Sequence, residues 1–506
     1  MCKPPRLILL LCGLGLACIN NSYAADWQIK PQVDIVETYS DNISLASDAA
    51  TASDDYITQL SPAISIIGNG NRLKFDSSYT LQNLFYANSS SQNKSHNQLR
   101  LKADTELIED LFYLSVDSQV FQQLLAPGNG LVTDNINIGS GRGDVMTSHV
   151  QPRLKRTLGK EIEFDLSYTE GRVNYDSETI TDVRLHDTKL ILDRSNTSAK
   201  LDWQLSYNQS RQWGAGALTS EREQSAVMMS YATFENVSLI ANGGKEDGQI
   251  ISSKSYKSGT YWSVGLMWRL SPRLSVEAAK GDNDQQASLT WAPSARTTLS
   301  AKYIDREVGV HASNSWSGIF KHLTRRTLWA LSYVEEITSD ARLAIVGNQT
   351  VALTDKDGAP VFDDFGRLVV AQSYQLGIVD ESYRRESGQA NFTYSARKND
   401  LSIGANSEQR YYELTNRQAQ LHSGFIGWRL KLTARSTSDV KYSLNRSSGN
   451  SASADAETKT LMWALKRMLG KHITTGLELR ATEVDGGTAS LSRSENRISA
   501  NVRVIF

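Results

Sequence analysis

Apolar and polar residues alternate along most of the chain from Trp27 onward, and helical periodicity is nearly absent. Successive side chains of a β-strand point to opposite sides of the sheet, so the alternation predicts strands with one apolar and one polar face. The pattern predicts an all-β protein, and it is typical both of a soluble sandwich and of a membrane barrel. In the clearest segment the apolar set is Ala199, Leu201, Trp203, Leu205 and Tyr207, and the polar set is Lys200, Asp202, Gln204, Ser206 and Asn208.

The segments between the predicted strands are alternately short and long. The short ones, most of them marked by Gly, Pro or Asn, are 68–71, 109–110, 158–160, 234–236, 271–272, 293–295 and 469–471. The long ones are 43–54, 87–95, 125–145, 213–222, 339–382 and 447–456. Short periplasmic turns and long extracellular loops are typical of a large antiparallel transmembrane β-barrel. The predicted strands number about 24. An even number of strands places both ends of the barrel on the periplasmic side.

Tryptophan recurs just before the short turns. Trp268 precedes Ser271-Pro272, Trp291 precedes Pro293-Ser294, and the arrangement returns more loosely at two further positions. In a barrel such residues form an aromatic girdle at the membrane interface, whereas in a sandwich they pack in the core. We expect the girdle to contain Trp203, Trp268, Trp291, Trp428 and Trp463.

The last predicted strand is strictly alternating. Its polar face consists of Arg497, Ser499, Asn501 and Arg503. Its apolar face ends on an aromatic residue, a pattern that resembles the signal read by the barrel-assembly machinery. We expect the signal to comprise Ile498, Ala500, Val502, Val504 and Phe506.

The first residues have the composition of a secretory signal peptide. Lys3 and Arg6 precede an apolar run over 7–19, and Ser22-Tyr23-Ala24 fits the small-x-small cleavage rule. The alternatives are a transmembrane anchor, for which the run is short, and a lipoprotein signal at Cys18. We predict a signal peptide over 1–24 and a single outer-membrane barrel domain over 25–506. All three cysteines, Cys2, Cys12 and Cys18, then fall in the removed segment.

Composition narrows the possible classes. The chain is 40% hydrophobic and 22% charged, and its mean hydropathy of −0.39 is too low for a helical protein with several membrane spans. A barrel meets lipid with only every second residue, so the same composition is compatible with it. The formal net charge of −1 gives no support for nucleic-acid binding.

Catalytic and metal-binding motifs are weak or missing from the sequence. The seven histidines are scattered without metal-ligand spacing, and no phosphate loop or nucleophile elbow stands in a convincing context. Asp355 and Asp357 with Gly358 resemble the start of a calcium loop, but Gly366 stands where the last carboxylate ligand belongs. Arg142-Gly143-Asp144 matches an adhesion tripeptide by three residues only. We expect neither enzymatic activity nor a cofactor.

The polar faces of the predicted strands carry both signs of charge. The presumed lumen therefore contains a wet path or a network of paired side chains, and both remain open at this stage. These residues include Lys200, Asp202, Arg100, Lys102, Asp104, Glu478 and Arg480.

Several short motifs resemble the PEP-CTERM-system-associated outer-membrane protein family. They are 27–31 (WQIKP), 37–43 (ETYSDNI), 55–65 (DYITQLSPAIS), 291–299 (WAPSARTTL) and 331–333 (LSY). Such proteins are associated with loci for exopolysaccharide biosynthesis and export. The resemblance implies a large outer-membrane barrel, in a Gram-negative bacterium, that moves or anchors surface polysaccharide.

The leading hypothesis is thus a barrel that acts as a conduit or accessory component of exopolysaccharide export. Its partners would be outer-membrane lipid, the barrel-assembly machinery, the exopolysaccharide and components of the export system, with no nucleic acid. The alternatives are a general porin or solute channel, a plugged barrel for surface interactions and, last, an outer-membrane hydrolase.

Overall fold

Most of the described backbone is β-strand. The computed structural model describes residues 26–47, 51–124, 135–138, 142–159, 161–176, 180–194, 200–214, 217–250, 256–309, 313–338, 351–352, 370–371, 382–449, 455–486 and 492–506. The strands are β1 (Asp26–Ser40), β2 (Asp55–Asn69), β3 (Leu73–Tyr86), β4 (Lys94–Ile108), β5 (Phe112–Leu124), β6 (Arg142–Leu158), β7 (Ile162–Tyr175), β8 (Val183–Arg194), β9 (Leu201–Gly214), β10 (Ala217–Phe234), β11 (Val237–Ile250), β12 (Gly259–Ser271), β13 (Leu274–Asp282), β14 (Asp284–Ser294), β15 (Thr297–Arg306), β16 (Ser313–Leu323), β17 (Thr327–Thr338), β18 (Val351–Ala352), β19 (Val370–Ala371), β20 (Tyr383–Ser395), β21 (Asn399–Tyr412), β22 (Arg417–Thr433), β23 (Ser436–Gly449), β24 (Ala456–Met468), β25 (Ile473–Asp485) and β26 (Arg493–Ile505). A 3₁₀ turn lies at Ser90–Gln92, and no helix in these ranges is long and apolar enough to cross a membrane.

The strands form a closed antiparallel barrel. β1 to β17 and β20 to β26 make one 24-stranded sheet in which each strand pairs with the next, and β17 pairs with β20. The sheet closes because β26 also pairs with β1, over Gln32–Ser40 and Arg497–Ile505. The short strands β18 and β19 pair only with each other. The prediction of an all-β, large antiparallel barrel of about 24 strands is confirmed.

The connections follow the predicted alternation in most places, although at the long-loop end Asn283 alone joins β13 to β14. All the predicted short turns lie at one end of the barrel, which we call the short-turn end, and the connections at the opposite, long-loop end include 41–54, 87–93, 125–141 and 339–382. The prediction of a long loop over 213–222 is wrong, because β9 continues to Gly214 and β10 begins at Ala217. The segment Thr219-Ser220-Glu221 continues β10 with polar residues on both faces, so alternation alone does not identify it as strand.

The register assigns each side chain to the outside or the lumen. Residues directly opposite each other in an antiparallel ladder share a face of the sheet. In the closing ladder Ile35 lies opposite Val502, whereas Asp34 lies opposite Arg503 on the other face. Following this rule from ladder to ladder around the sheet gives one continuous apolar face and one continuous polar face.

The apolar face is the outer surface. On β12, for example, Trp262, Leu266 and Trp268 expose 54%, 55% and 53% of their surface. Exposed large apolar side chains recur on strands all round the barrel, and a soluble protein does not leave an apolar belt of this extent in water. A closed barrel satisfies its backbone hydrogen bonds internally, so this belt can face lipid. The architecture is that of an outer-membrane β-barrel.

Candidate functional site

The predicted girdle tryptophans all lie on the outer face toward the short-turn end. Trp428 donates through Nε1 to Asn399 Oδ1 at 3.2 Å, and Trp463 donates to Ser438 Oγ at 3.0 Å. This position fits an interfacial girdle, whose role stays a prediction. Sequence reasoning left out two tryptophans at the same end: Trp27, the second residue of β1, and Trp329, the third residue of β17.

The predicted assembly signal forms the outer face of the closing strand. Ile498 and Val502 lie opposite Tyr39 and Ile35 of β1, and Ala500 and Val504 share their face. The backbone N–H of Phe506 donates to the Pro31 carbonyl at 2.9 Å, and its side chain is exposed. The recognition role of these five residues stays a prediction.

The inner face of the barrel is lined with ion pairs. From β10 round to β1, buried carboxylates of the inner wall each contact at least one arginine, and most lie in the half nearer the long-loop end. These pairs are Arg222–Glu246, Arg306–Asp284, Arg385–Glu408, Arg410–Glu408, Arg480–Glu478, Arg497–Glu495 and Arg503–Asp34. Inward pairs nearer the short-turn end include Arg153–Asp165, Lys155–Glu163, Arg429–Asp439 and Lys431–Asp400.

The most enclosed of these pairs is centred on Glu408 of β21. Its two oxygens accept hydrogen bonds from Arg385 Nε at 3.0 Å and from Arg410 Nε at 2.6 Å. Arg385 also donates to Glu336 at 2.9 Å, and the Arg410 guanidinium lies 4.8 Å from the centre of the Tyr383 ring. Each charge therefore has a partner, which is the condition under which buried charges are tolerated.

A second enclosed pair lies on β14 and β15. The carboxylate of Asp284 accepts hydrogen bonds from Ser263 Oγ at 2.6 Å and from Arg306 Nε at 2.9 Å. The same guanidinium stacks 3.5 Å from the centre of the Tyr261 ring. In the nearby connection between β11 and β12, burial raises the pKa of Tyr256 to about 12, so this phenol stays protonated.

The lumen charges singled out from the sequence do lie on the inner face. Lys102 and Asp104 approach to 4.0 Å, and Ser115 Oγ donates to Asp104 at 2.7 Å. Glu478 and Arg480 form one of three Glu-x-Arg pairs in which both side chains point inward; the others are Glu408 with Arg410 and Glu495 with Arg497. The i, i+2 spacing puts both charges of such a pair on one face of a strand, but it does not say which face, since Glu170 and Arg172 have the same spacing on the outer surface.

Residues 135–138, from the connection between β5 and β6, lie inside the long-loop end of the barrel. Asn135 Nδ2 donates to Gln82 Oε1 at 2.6 Å, and Tyr86 Oη donates to the Ile136 carbonyl at 2.6 Å. Gln82 and Tyr86 are inward residues of β3. The side chains of Ile136 and Ile138 pack on the buried cluster Ile43, Ile57, Leu84 and Tyr86.

Asn137 connects this segment to the closing ladder. Its side chain is fully buried; Nδ2 donates to Glu495 Oε1 at 3.0 Å, and Oδ1 accepts from Arg497 Nη2 at 2.7 Å. The backbone N–H of Ile138 donates to the Ile43 carbonyl at 3.0 Å. The sequence predicts an external loop at 125–145. Residues 135–138 instead turn into the barrel, where Asn137 forms hydrogen bonds with the buried side chains of Glu495 and Arg497.

An apolar cluster occupies the inner face of β5 to β8 at the same end. Sequence alternation does not predict this cluster. Its residues occupy the alternate positions that are polar elsewhere in their strands and become apolar only near the long connections. The cluster comprises Val145, Val173, Tyr175, Val183 and Leu185, with Phe121 and Ile180 packed against it. The inner wall is thus closely packed toward the long-loop end and more open toward the short-turn end.

The remaining candidates contribute little to the lumen. Asp144 of the adhesion-like tripeptide belongs to β6, where it accepts a hydrogen bond from Gln122 at 3.0 Å. Within the residues that the structure describes, no three His, Cys, Asp or Glu side chains converge on a metal position. The segment around Asp355 and Asp357, the signal peptide at 1–24 and the three cysteines lie outside the described residues.

Comparison with known proteins finds likeness of structure only. No family model matches the chain, and no curated protein matches it. Among solved structures it is similar to the siderophore receptor PirA of Pseudomonas aeruginosa, with 9% identity, 95% of this chain and 80% of that chain covered, and a TM-score of 0.41. It is also similar to the ferric-catecholate import receptor Fiu of E. coli K12, with 8% identity, 94% and 81% covered, and a TM-score of 0.47. A third similar structure is the FrpB iron transporter of Neisseria meningitidis, with 10% identity, 94% of this chain and 82% of that chain covered, and a TM-score of 0.43. Matches at this level identify neither a family nor a ligand for this chain.

Proposed function

We propose that this chain is a non-enzymatic outer-membrane barrel that acts as a conduit or accessory component of exopolysaccharide export. The observation that carries the proposal is the wide barrel with a polar, ion-paired inner face. With strands about 4.8 Å apart and tilted by about 40°, the 24 strands enclose a cylinder about 48 Å across. A barrel of this size has room inside for a hydrated polymer. Because positive and negative side chains are paired along the wall, they can form hydrogen bonds with the polymer without giving the lumen a strong net electrostatic potential.

The family resemblance of the sequence motifs supports polysaccharide as the cargo. Deleting the gene while leaving polysaccharide synthesis intact tests it. We expect the polymer to disappear from the cell surface and to accumulate inside the cell, and complementation to reverse both effects. Unchanged surface polysaccharide in the deletion strain would contradict the proposal.

Packing of the inner wall at the long-loop end favours a second candidate, a closed barrel that acts in surface interactions. Planar-bilayer recordings of the purified chain separate the candidates. Current that the native polysaccharide blocks supports the export role, and current insensitive to it supports a general solute channel. Absence of steady current, together with unchanged surface polysaccharide on deletion, supports the closed barrel.

A further inference from the structure

Three arginines lie side by side on the outer face of β7, β8 and β9, toward the long-loop end. Arg172 of β7 is directly opposite Arg184 of β8, and Arg184 is opposite Trp213 of β9. One ladder step closer to the short-turn end, His186 is opposite Arg211. These residues form a single outward patch, which we call the arginine patch: Arg172, Arg184, His186, Arg211 and Trp213.

The arginine patch lies at the level of the lipid headgroups. Strand β9 carries Trp203 near the short-turn end and Trp213 near the opposite end, both on the outer face. At about 3.3 Å per residue and a tilt of about 40°, the ten positions between them span about 25 Å, the height of the apolar band in such barrels. Trp213 thus lies about the height of such a band above Trp203, and the arginines near it lie close to the polar layer of the outer leaflet.

The three arginines of the arginine patch have only two carboxylates paired with them. Like charges directly opposite each other destabilise a ladder, and Arg172 faces Arg184 in this way. Arg172 pairs with Glu170 at 2.5 Å and Arg211 with Glu221 at 2.6 Å. Arg184 is exposed and forms no ion pair within the described part of the chain, and its nearest balancing charge is Glu170, which is already paired with Arg172.

Cations elsewhere on the same rim are paired differently. Lys245 contacts Asp247 at 3.0 Å, and Lys459 contacts Glu457 at 3.2 Å. Neither stands directly opposite another cation in its ladders. The facing arginines on β7 and β8 therefore have an electrostatic cost that the single carboxylate of Glu170 offsets only in part and that a further anion would reduce.

The chemistry of the arginine patch fits a phosphate on a lipid. A guanidinium binds phosphate through two parallel hydrogen bonds, and this geometry makes arginine a better phosphate ligand than lysine. The rings of His186 and Trp213 lie 4.6 Å apart, and Tyr168 lies 5.9 Å from His186, so aromatic side chains adjoin the arginines, with Tyr168 on their membrane side. Aromatic side chains are favoured where acyl chains meet headgroups.

We propose that the arginine patch binds the phosphate group of an outer-leaflet lipid, with Arg184 and Arg172 as its ligands. The site is on the outside of the barrel and is independent of what passes through the lumen. It would anchor the barrel in the outer leaflet at β7 to β9.

Binding of defined lipids to the full chain in detergent tests the site. The probes are lipopolysaccharide, the same lipopolysaccharide with its phosphates removed, phosphatidylglycerol and inorganic phosphate, with binding measured by native mass spectrometry. We expect Arg184→Gln to weaken binding of phosphorylated lipopolysaccharide about tenfold or more. Removing the phosphates should weaken binding to the unmodified chain as strongly. The control Lys245→Gln, on the same rim but outside the arginine patch, should bind normally.

The outcomes are distinct. Equal binding of phosphorylated and dephosphorylated lipopolysaccharide, or no effect of Arg184→Gln, would overturn the proposal. Tight binding of phosphatidylglycerol that Arg184→Gln weakens would keep the phosphate site and identify a phospholipid as its source. Competition by millimolar inorganic phosphate without retention of either lipid would also overturn a lipid site. If Arg184→Gln fails to fold, Arg172→Gln provides the same comparison.

Discussion

At the scale of single residues, the inner wall depends on carboxylates that lie between arginines. Glu408 is 2% exposed and accepts hydrogen bonds from two guanidinium groups. A buried ion pair contributes little net stability over an apolar replacement, yet removal of one partner leaves a buried charge without compensation. Such positions are therefore sensitive to a change of charge that leaves the shape of the side chain intact.

The change Glu408→Gln tests this sensitivity. We expect a loss of about 3–5 kcal/mol of stability, because Arg385 and Arg410 would keep their charges in an enclosed site. The measurement is the temperature at which the folded barrel loses its shifted mobility in detergent gels. The matched control is Glu386→Gln on the outer face of β20, where the pair with Arg384 is partly exposed and its loss should cost about 1 kcal/mol or less. Equal effects of the two changes would contradict the argument.

At the scale of strands, the closing ladder is the shorter of the two ladders that β1 forms. β1 pairs with β2 along Asp26–Ser40 but with β26 only along Gln32–Ser40. Side chains reinforce the shorter ladder: Arg503 Nη2 donates to Asp34 at 2.8 Å, and Ser40 Oγ donates to Glu495 at 2.5 Å. Thr38 and Ser499 hydroxyls lie 2.9 Å apart. These side-chain interactions compensate for the backbone pairs that are missing where β26 does not extend along β1.

Exchanging the charges of Asp34 and Arg503 tests how much this ion pair contributes to the closing ladder. Arg503→Asp alone would put two carboxylates opposite each other, and we expect it to lower the temperature of the mobility shift and to reduce the amount of assembled barrel. The double change Arg503→Asp with Asp34→Arg restores opposite charges and should recover much of the loss. Failure of the double change to improve on the single one would show that the ion pair does not stabilise the ladder.

The sequence predicts individual strands well because their faces follow local rules. Alternation places Lys102, Asp104 and Glu478 on the inner face correctly, and Gly, Pro and Asn mark the short turns. It fails where a strand rises above the apolar belt, as at Thr219 and Ser220, since both faces are then polar. It also fails for contacts that depend on closure: Asn137 and Glu495 meet only after the sheet has joined its ends.

At the scale of the whole molecule, Asn137 links the long-loop end to the closing ladder. Residues 135–138 of the connection between β5 and β6 contact Gln82 on β3 and reach Glu495 and Arg497 on β26. The mouth of the barrel and its closing ladder are thus one packed unit.

The change Asn137→Ala should loosen both features together. We expect a loss of about 1–3 kcal/mol, because a carboxylate and a guanidinium lose a buried hydrogen-bond partner. Residues 135–138 should become more accessible to protease, and hydrogen exchange at the outer end of β26 should increase. Asn236→Ala, in an exposed turn at the other end, is the control. Faster protease cleavage with unchanged exchange in β26 would show that the segment is held independently of the closing ladder.

The order of the ladders also constrains how the barrel is made. Every ladder except one joins strands that follow each other in the barrel sequence, so successive hairpins can add to a growing sheet by short-range contacts. The ladder between β26 and β1 is the exception, because it unites the first and last strands. A sheet that grows hairpin by hairpin closes on this ladder last, and until then β1 presents an open edge whose unpaired backbone groups must be shielded from lipid and from other chains.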